Sequence, residues 1–187
     1  MQANKGVTPA CRRNLGRLIC MQKDPIMQSP AGDVISTAIR PALPEDLAAI
    51  QAIAEAAYRP YVARNGLEPA PLNDDYAARA ADGQLWVLTG KTATGAAVHG
   101  FLVLIEAPGR LLLDNVAVAP AAQGRGHGRA LLDFAEGHAR RAGLPAIRLY
   151  TQEIMVENIA IYARRGYVET RRAIEHGLPR VHMEKRL

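Results

Sequence analysis

Apolar positions along this chain change their spacing several times, and each change marks an element. Residues 35–40, ISTAIR, alternate apolar and polar and are β-rich, the pattern of a first strand. Pro44, Glu45 and Asp46 supply a helix start with acids in its first turn, and Leu47, Ile50, Ile53 and Ala54 recur at helical spacing toward Tyr58. Pro60, Pro69 and Pro71 break up residues 58–72, which are expected to be irregular. A short second helix is expected over 76–80. Residues 84–89 and 98–106 form two strands around a turn at 91–95, and Pro108-Gly109 turns the chain into a strand over 111–118. A helical stripe begins at Arg129 and stops at Ala142-Gly143. A strand over 147–151, a helix over 156–165 stopped by Gly166, and a closing hairpin with its turn near 176–179 complete the pattern.

This order is an α/β layer architecture with a mixed sheet. It spans residues 35–187, one folded domain. Residues 1–34 show no sustained period and mix Gly, Pro, Ser, Gln and Met, so a disordered extension is expected there. A later start at Met21 or Met27 is an alternative for this stretch. Its arginines lack the apolar core of a secretory signal.

Composition narrows the partners. A hydrophobic content of 49% and a charged content of 22% are ordinary for a globular protein that buries a sizeable core. No apolar run approaches the ~20 residues of a membrane span, so no membrane partner is expected. Of the net charge of +5, residues 1–33 hold +3, from Lys5, Arg12, Arg13, Arg17 and Lys23 against Asp24 and Asp33. The remaining +2 demands no basic face, so nucleic acid is not an expected partner. Both cysteines, Cys11 and Cys20, lie in the extension. The domain therefore has no disulfide framework and no cysteine nucleophile, and its scattered histidines show no metal-ligand spacing. A reducing, cytoplasmic setting follows by default.

The chemistry concentrates in Gln123-Gly124-Arg125-Gly126-His127-Gly128, which follows an apolar strand and opens a helix at Arg129. Glycines let backbone N–H groups approach a ligand closely, and the first N–H groups of a helix have no helical partner. With the helix dipole and the charges of Arg125 and Arg129, the loop reads as a pyrophosphate cradle. It lacks the lysine of a Walker A loop. It also lacks the immediate glycine after the strand and the later acid of a dinucleotide fingerprint. A glycine-rich turn of no function is the bland alternative.

Gln-x-x-Gly-x-Gly, after a strand ending in Val116-Ala117-Val118-Ala119-Pro120, resembles the acetyl-CoA loop of the GNAT N-acetyltransferases. The resemblance covers residues 36–187 when the flanking elements are included. It implies a mixed, mostly antiparallel sheet splayed at the acetyl-CoA cleft and flanked by about four helices. It implies an N-acetyltransferase that moves an acetyl group from acetyl-CoA, without a metal, to a primary amine of a small molecule or peptide, by direct attack in a ternary complex. A monomer or homodimer is expected. A non-catalytic acyl-CoA-binding sensor or interaction module on the same fold is the alternative.

The resemblance also suggests roles. The loop from Gln123 through Gly124, Arg125, Gly126, His127 and Gly128 to Arg129 would hold the pyrophosphate. The backbone of Val116, Ala117 and Val118 would face the pantetheine and thioester. Tyr162, in an Ala-x-x-x-Tyr-x-x-x-Gly-Tyr-like segment ending at Gly166-Tyr167, would protonate the leaving thiolate, since a phenol stays protonated near neutral pH. Asn158, one turn earlier on the same helix face, would bond the pantetheine arm. Relatives often place this asparagine seven positions before the tyrosine, where this chain has Met155. Asp114 is the leading carboxylate to take the amine's proton, through a water, and by strand alternation it is expected to share the face of Val116 and Val118. Glu106 is second. The acceptor is expected near Tyr58, Tyr61, Glu68, Asp74 and Asp75.

Overall fold

The computed structural model describes residues 37–92 and 95–187. The expected N-terminal extension, the start of the first strand at Ile35-Ser36 and the tip of the turn at Ala93-Thr94 lie outside the described residues. The elements are β1 (Ala38–Pro41), α1 (Leu47–Asn65), α2 (Tyr76–Ala81), β2 (Leu85–Thr92), β3 (Gly95–Ala107), β4 (Arg110–Val118), α3 (His127–Arg141), β5 (Ala146–Gln152), α4 (Val156–Arg164), β6 (Val168–Glu175) and β7 (Leu178–Arg186). They form one seven-stranded sheet in the order β1-β2-β3-β4-β5-β7-β6. Every neighbouring pair is antiparallel except β4 with β5. Among the described residues, no helix is long and apolar enough to cross a membrane.

Two apolar cores occupy the two faces. On one, Leu131, Leu132, Ala135 and Ala139 of α3 and Tyr162 of α4 pack on Leu102, Leu104, Leu111, Leu113, Ile147 and Leu149. On the other, Ile50, Ile53, Ala54, Ala57 and Tyr61 of α1 and Tyr76 of α2 pack on Val87, Phe101, Val103 and Ala117. Each fully buried Leu or Ile here contributes roughly 1.5–3 kcal/mol.

The first correction concerns α1. The proline-broken stretch expected from residue 58 begins instead as about two further turns of helix, through Pro60 to Asn65, and ends at the left-handed Gly66. A proline inside a helix removes one hydrogen bond and costs about 3 kcal/mol. Tyr58 and Tyr61, both buried on the same face as Ala54 and Ala57, offset that cost.

The parallel β4–β5 pair positions the site. Its register covers three residue pairs, Leu111 with Ile147, Leu112 with Arg148 and Leu113 with Leu149, and stops there. Both strands continue, to Val118 and to Gln152, without pairing to each other. A gap therefore opens toward their carboxyl ends.

Two bulges shape its walls. Leu88 pairs with Gly100 but Thr89 with Val98, so His99 is an extra residue in β3. Val103 pairs with Asn115 but Leu104 with Leu113, so Asp114 is an extra residue in β4. An added residue reverses the alternation beyond it. The second correction follows. Asp114 does not share the face of Val116 and Val118: those two meet the core under α3, whereas Asp114 meets Arg79 of α2.

Candidate active site

The strand-loop-helix unit folds as the sequence predicts. After Val118, the Ala119 N–H bonds to the carbonyl of bulged His99 at 2.8 Å, and a 3-10 turn over Pro120–Ala122 carries the chain to Gln123. Gly124 and Gly126 take left-handed φ of 74° and 78°, which side chains resist. A Cβ at either would meet nothing within 4 Å, so the backbone here is open to an incoming group. The first N–H of α3 to reach a carbonyl is that of Ala130, on Gly126 at 3.0 Å. The preceding N–H groups at the helix start lack helical acceptors and point their dipoles outward.

This loop borders a cavity of about 530 Å³ whose lining includes Gln123, Gly124, Gly126, His127, Gly128 and Arg129. Arg164, Arg165 and Lys185 add cationic charge to the same wall. Arg125 is exposed and outside the lining. The Gln123 amide donates to the Val118 carbonyl at 3.2 Å, bracing the turn. The His127 ring stacks on His99, with centroids 5.2 Å apart and planes 14° from parallel. Burial, then the His99 ring and Arg125, lower the His127 pKa below its ordinary value, so its imidazole is neutral at pH 7. Glu136, buried on α3, accepts from Lys185 at 2.7 Å and from Arg165 at 3.1 Å and fixes both beside the cavity.

A second cleft, of about 60 Å³, lies where β4 and β5 part. It brings together Asp114, Val116, Asn158, Tyr162 and Tyr58, with Tyr150 and Arg180. Asn158 is buried, and its Oδ1 has no hydrogen-bond partner among the described residues, while its Nδ2 donates to the Met155 sulfur at 3.7 Å. An orphaned buried acceptor costs about 1–3 kcal/mol and calls for a donor from a ligand. Tyr162 is buried beside Tyr167, ring centroids 5.8 Å apart. With the open glycine cradle, these features fit an acetyl-CoA-sized thioester: an anion seat at the loop, and an amide acceptor and a phenol inside the gap.

Asp114 is held from two sides. Its Oδ1 accepts from the Tyr150 hydroxyl at 2.5 Å and its Oδ2 from Arg79 at 3.4 Å. Burial, then the adjacent Asp114 carboxylate, push the Tyr150 phenol above its ordinary pKa, so it donates throughout the neutral range. Behind it, Tyr58 donates to Asn115 Oδ1 at 2.5 Å, and the Asn115 amide donates to the Tyr76 hydroxyl at 3.0 Å.

Other expected residues separate. Glu106 is exposed and accepts from His138 of α3 at 3.0 Å, outside both cavities. Tyr61 is packed in the core at 1% exposure. Asp75 caps α2 by accepting from the Ala78 N–H, Glu68 pairs with Arg59 at the surface, and Asp74 pairs with Arg79. Of the expected acceptor set, Tyr58 alone lines the cleft. Sequence reasoning missed Tyr150, Arg180, Arg79 and Asn115. They read locally as ordinary strand or helix positions, and only the sheet order brings them together.

The sequence model of the acetyltransferase (GNAT) family matches residues 49–167. A mycothiol acetyltransferase from Geodermatophilus obscurus is 40% identical over 60 residues, 32% of this chain and 19% of that protein's length. Among solved structures, a GCN5-related N-acetyltransferase from Rhodopseudomonas palustris is 29% identical, with a TM-score of 0.63 over 84% of this chain and 100% of its own. The PaiA N-acetyltransferase of Thermoplasma acidophilum, solved in complex with coenzyme A, is 19% identical and shares the fold, with a TM-score of 0.63 over 82% of this chain and 100% of its own.

Proposed function

The chain belongs to the acetyltransferase (GNAT) family, and from that premise we propose that it transfers an acetyl group from acetyl-CoA to a primary amine by direct attack in a ternary complex. The observation that carries this reading is the gap between β4 and β5, where Asn158, Tyr162, Val116 and Asp114 line one cleft just past the last paired residues. Residues 35–187 act in this reading as the catalytic domain, with the preceding extension outside it.

When bound, acetyl-CoA supplies a thioester whose C–S bond breaks as the new C–N bond forms. The N–H groups from Gly124 to Arg129 hold its pyrophosphate, aided by the cations along the same wall. The backbone of Val116, Ala117 and Val118, freed of a β5 partner, offers hydrogen bonds to the pantetheine, and Asn158 Oδ1 accepts another. Tyr162 gives its phenolic proton to the departing sulfur. Asp114, through a water, takes a proton from the attacking nitrogen. Exchange with solvent restores both groups, so the cycle closes on an amide and a free thiol.

A thiol-release assay over a panel of amines tests the reading. Turnover is expected, and Tyr162→Phe should lower kcat about 10²-fold with little change in acetyl-CoA affinity. Unchanged kcat removes the acid role from Tyr162. Tight acetyl-CoA binding without thiol release on any amine favours the non-catalytic binding module instead.

A further inference from the structure

The cleft beside Tyr150 has two charged ends of opposite sign. At the first, Asp114 and Asp74 share one guanidinium, that of Arg79, at 3.4 and 3.1 Å. Two carboxylates on one cation leave a net negative charge. At the second, Arg180 and Arg171 share one carboxylate, that of Glu175, at 3.2 and 2.6 Å. Two guanidiniums on one anion leave a net positive charge. Tyr150 stands between: its hydroxyl is bonded to Asp114, and its ring lies 4.3 Å under the Arg180 guanidinium.

Both ends keep unused capacity toward the cleft. The side chains of Asp114 and Arg180 are 14% and 11% exposed, and both residues line it. A carboxylate has about four acceptor sites, and Asp114 uses two. A guanidinium has five donors, and the bond to Glu175 uses one. No ion pair joins Asp114 to Arg180 among the described residues, although Tyr150 touches both. A desolvated surface with a negative and a positive end is matched by a ligand of the opposite polarity. A simple amine would leave Arg180 unanswered, and a polyamine would bring a second cation against it.

We propose that the acceptor is a small amine that also carries a carboxylate, of the amino-acid type, bound with its ammonium at Asp114 and its carboxylate at Arg180. This rests on the acetyl-transfer reading for the direction of attack: the nitrogen end sits at Asp114, beside the parted strands, and the carboxylate is the handle that orients it. Arg180, 4.3 Å over the Tyr150 ring, offers its remaining donors to that carboxylate.

Calorimetry on the CoA-loaded protein tests this apart from turnover. The probes are free L-amino acids, each with its amide and its decarboxylated amine. Amino acids are expected to bind about tenfold or more tightly than either counterpart, as a charge-assisted pair implies. Arg180→Met keeps an apolar stem over Tyr150 and should erase that preference while leaving the weak binding of the decarboxylated amines and the affinity for CoA within about twofold; Arg180→Lys should restore part of it. Equal binding of amines and amino acids, equal losses for both in Arg180→Met, or no binding by any amino acid overturns the proposal. A separate thiol-release assay with acetyl-CoA and the same amino acids reports on the acetyl-transfer reading. A selective, Arg180-dependent amino-acid site without thiol release upholds the site and sinks the transfer.

Discussion

Tyr150 donates its hydroxyl proton to Asp114 at 2.5 Å, across the gap that opens where their strands cease to pair. The bond ties the two walls together and orients the carboxylate proposed to take the amine's proton. Asp114→Asn should lower kcat about 10²-fold or more, because an amide cannot accept the amine's proton. A kcat within a few-fold of the wild type would pass the role to another group. Tyr150→Phe loses the bond but keeps the ring, so about a tenfold fall in kcat with unchanged acetyl-CoA affinity is expected.

Gly100 of β3 pairs with Val118 of β4. A Cβ there would stand 2.7 Å from the Ala117 carbonyl oxygen and 3.1 Å from Leu131. The first neighbour is backbone and the second is a core side chain of α3, so neither yields cheaply. Gly100→Ala should cost about 1–3 kcal/mol in urea unfolding. It should also weaken acetyl-CoA binding, because the strand segment displaced leads straight into the glycine loop. Unaltered stability would mean that the sheet relaxes locally.

His127 makes stability depend on pH in a stated direction. Its pKa is lowered in the folded protein, so the unfolded chain binds the proton more readily. Stability is therefore at its full value above the unfolded pKa of about 6.5 and falls as pH drops below it toward the lowered folded value. His127→Gln should flatten that part of the curve. Parallel curves for the two proteins between pH 7 and pH 5 would refute the assignment.

Glu136 is a buried carboxylate with Lys185 and Arg165 on its oxygens and Arg140 at 3.8 Å. Glu136→Ala leaves those cations crowded beside the large cavity. Lys185 and Arg165 remain about a fifth exposed, so water recovers part of the loss, and a destabilisation of about 2 kcal/mol is expected rather than the full cost of a broken buried pair. The same variant should weaken acetyl-CoA binding if Arg165 and Lys185 are held for the ligand, and calorimetry distinguishes the two effects.

What the sequence disclosed follows the range of the interactions involved. The glycine loop and the helix after it are local: Gly124, Gly126 and the free N–H groups lie within a few residues, and the structure places them as expected. Asn158 and Tyr162 come to one cleft because helical spacing puts them on one face. Pro60 misled because its own preference is local while the compensation, burial of Tyr58 and Tyr61 against β3 and β4, is not. Strand alternation alone puts Asp114 on the face of Val116, but one extra residue reverses it, and nothing in LLLDNVAV marks which residue is extra. Arg180 lies 30 residues after Tyr150 and meets it only because β7 inserts between β5 and β6.

The three-rung seam between β4 and β5 has a mechanical consequence. Every other junction in the sheet is longer and antiparallel, so the backbone ladder is thinnest at this seam, and the core under α3 spans it. A donor lodged beyond the last rung would act as a strut between the two strands, bonding to edges that neither strand satisfies alone. Saturating donor is then expected to stabilise the fold as well as occupy the site, read as a rise in Tm with acetyl-CoA concentration.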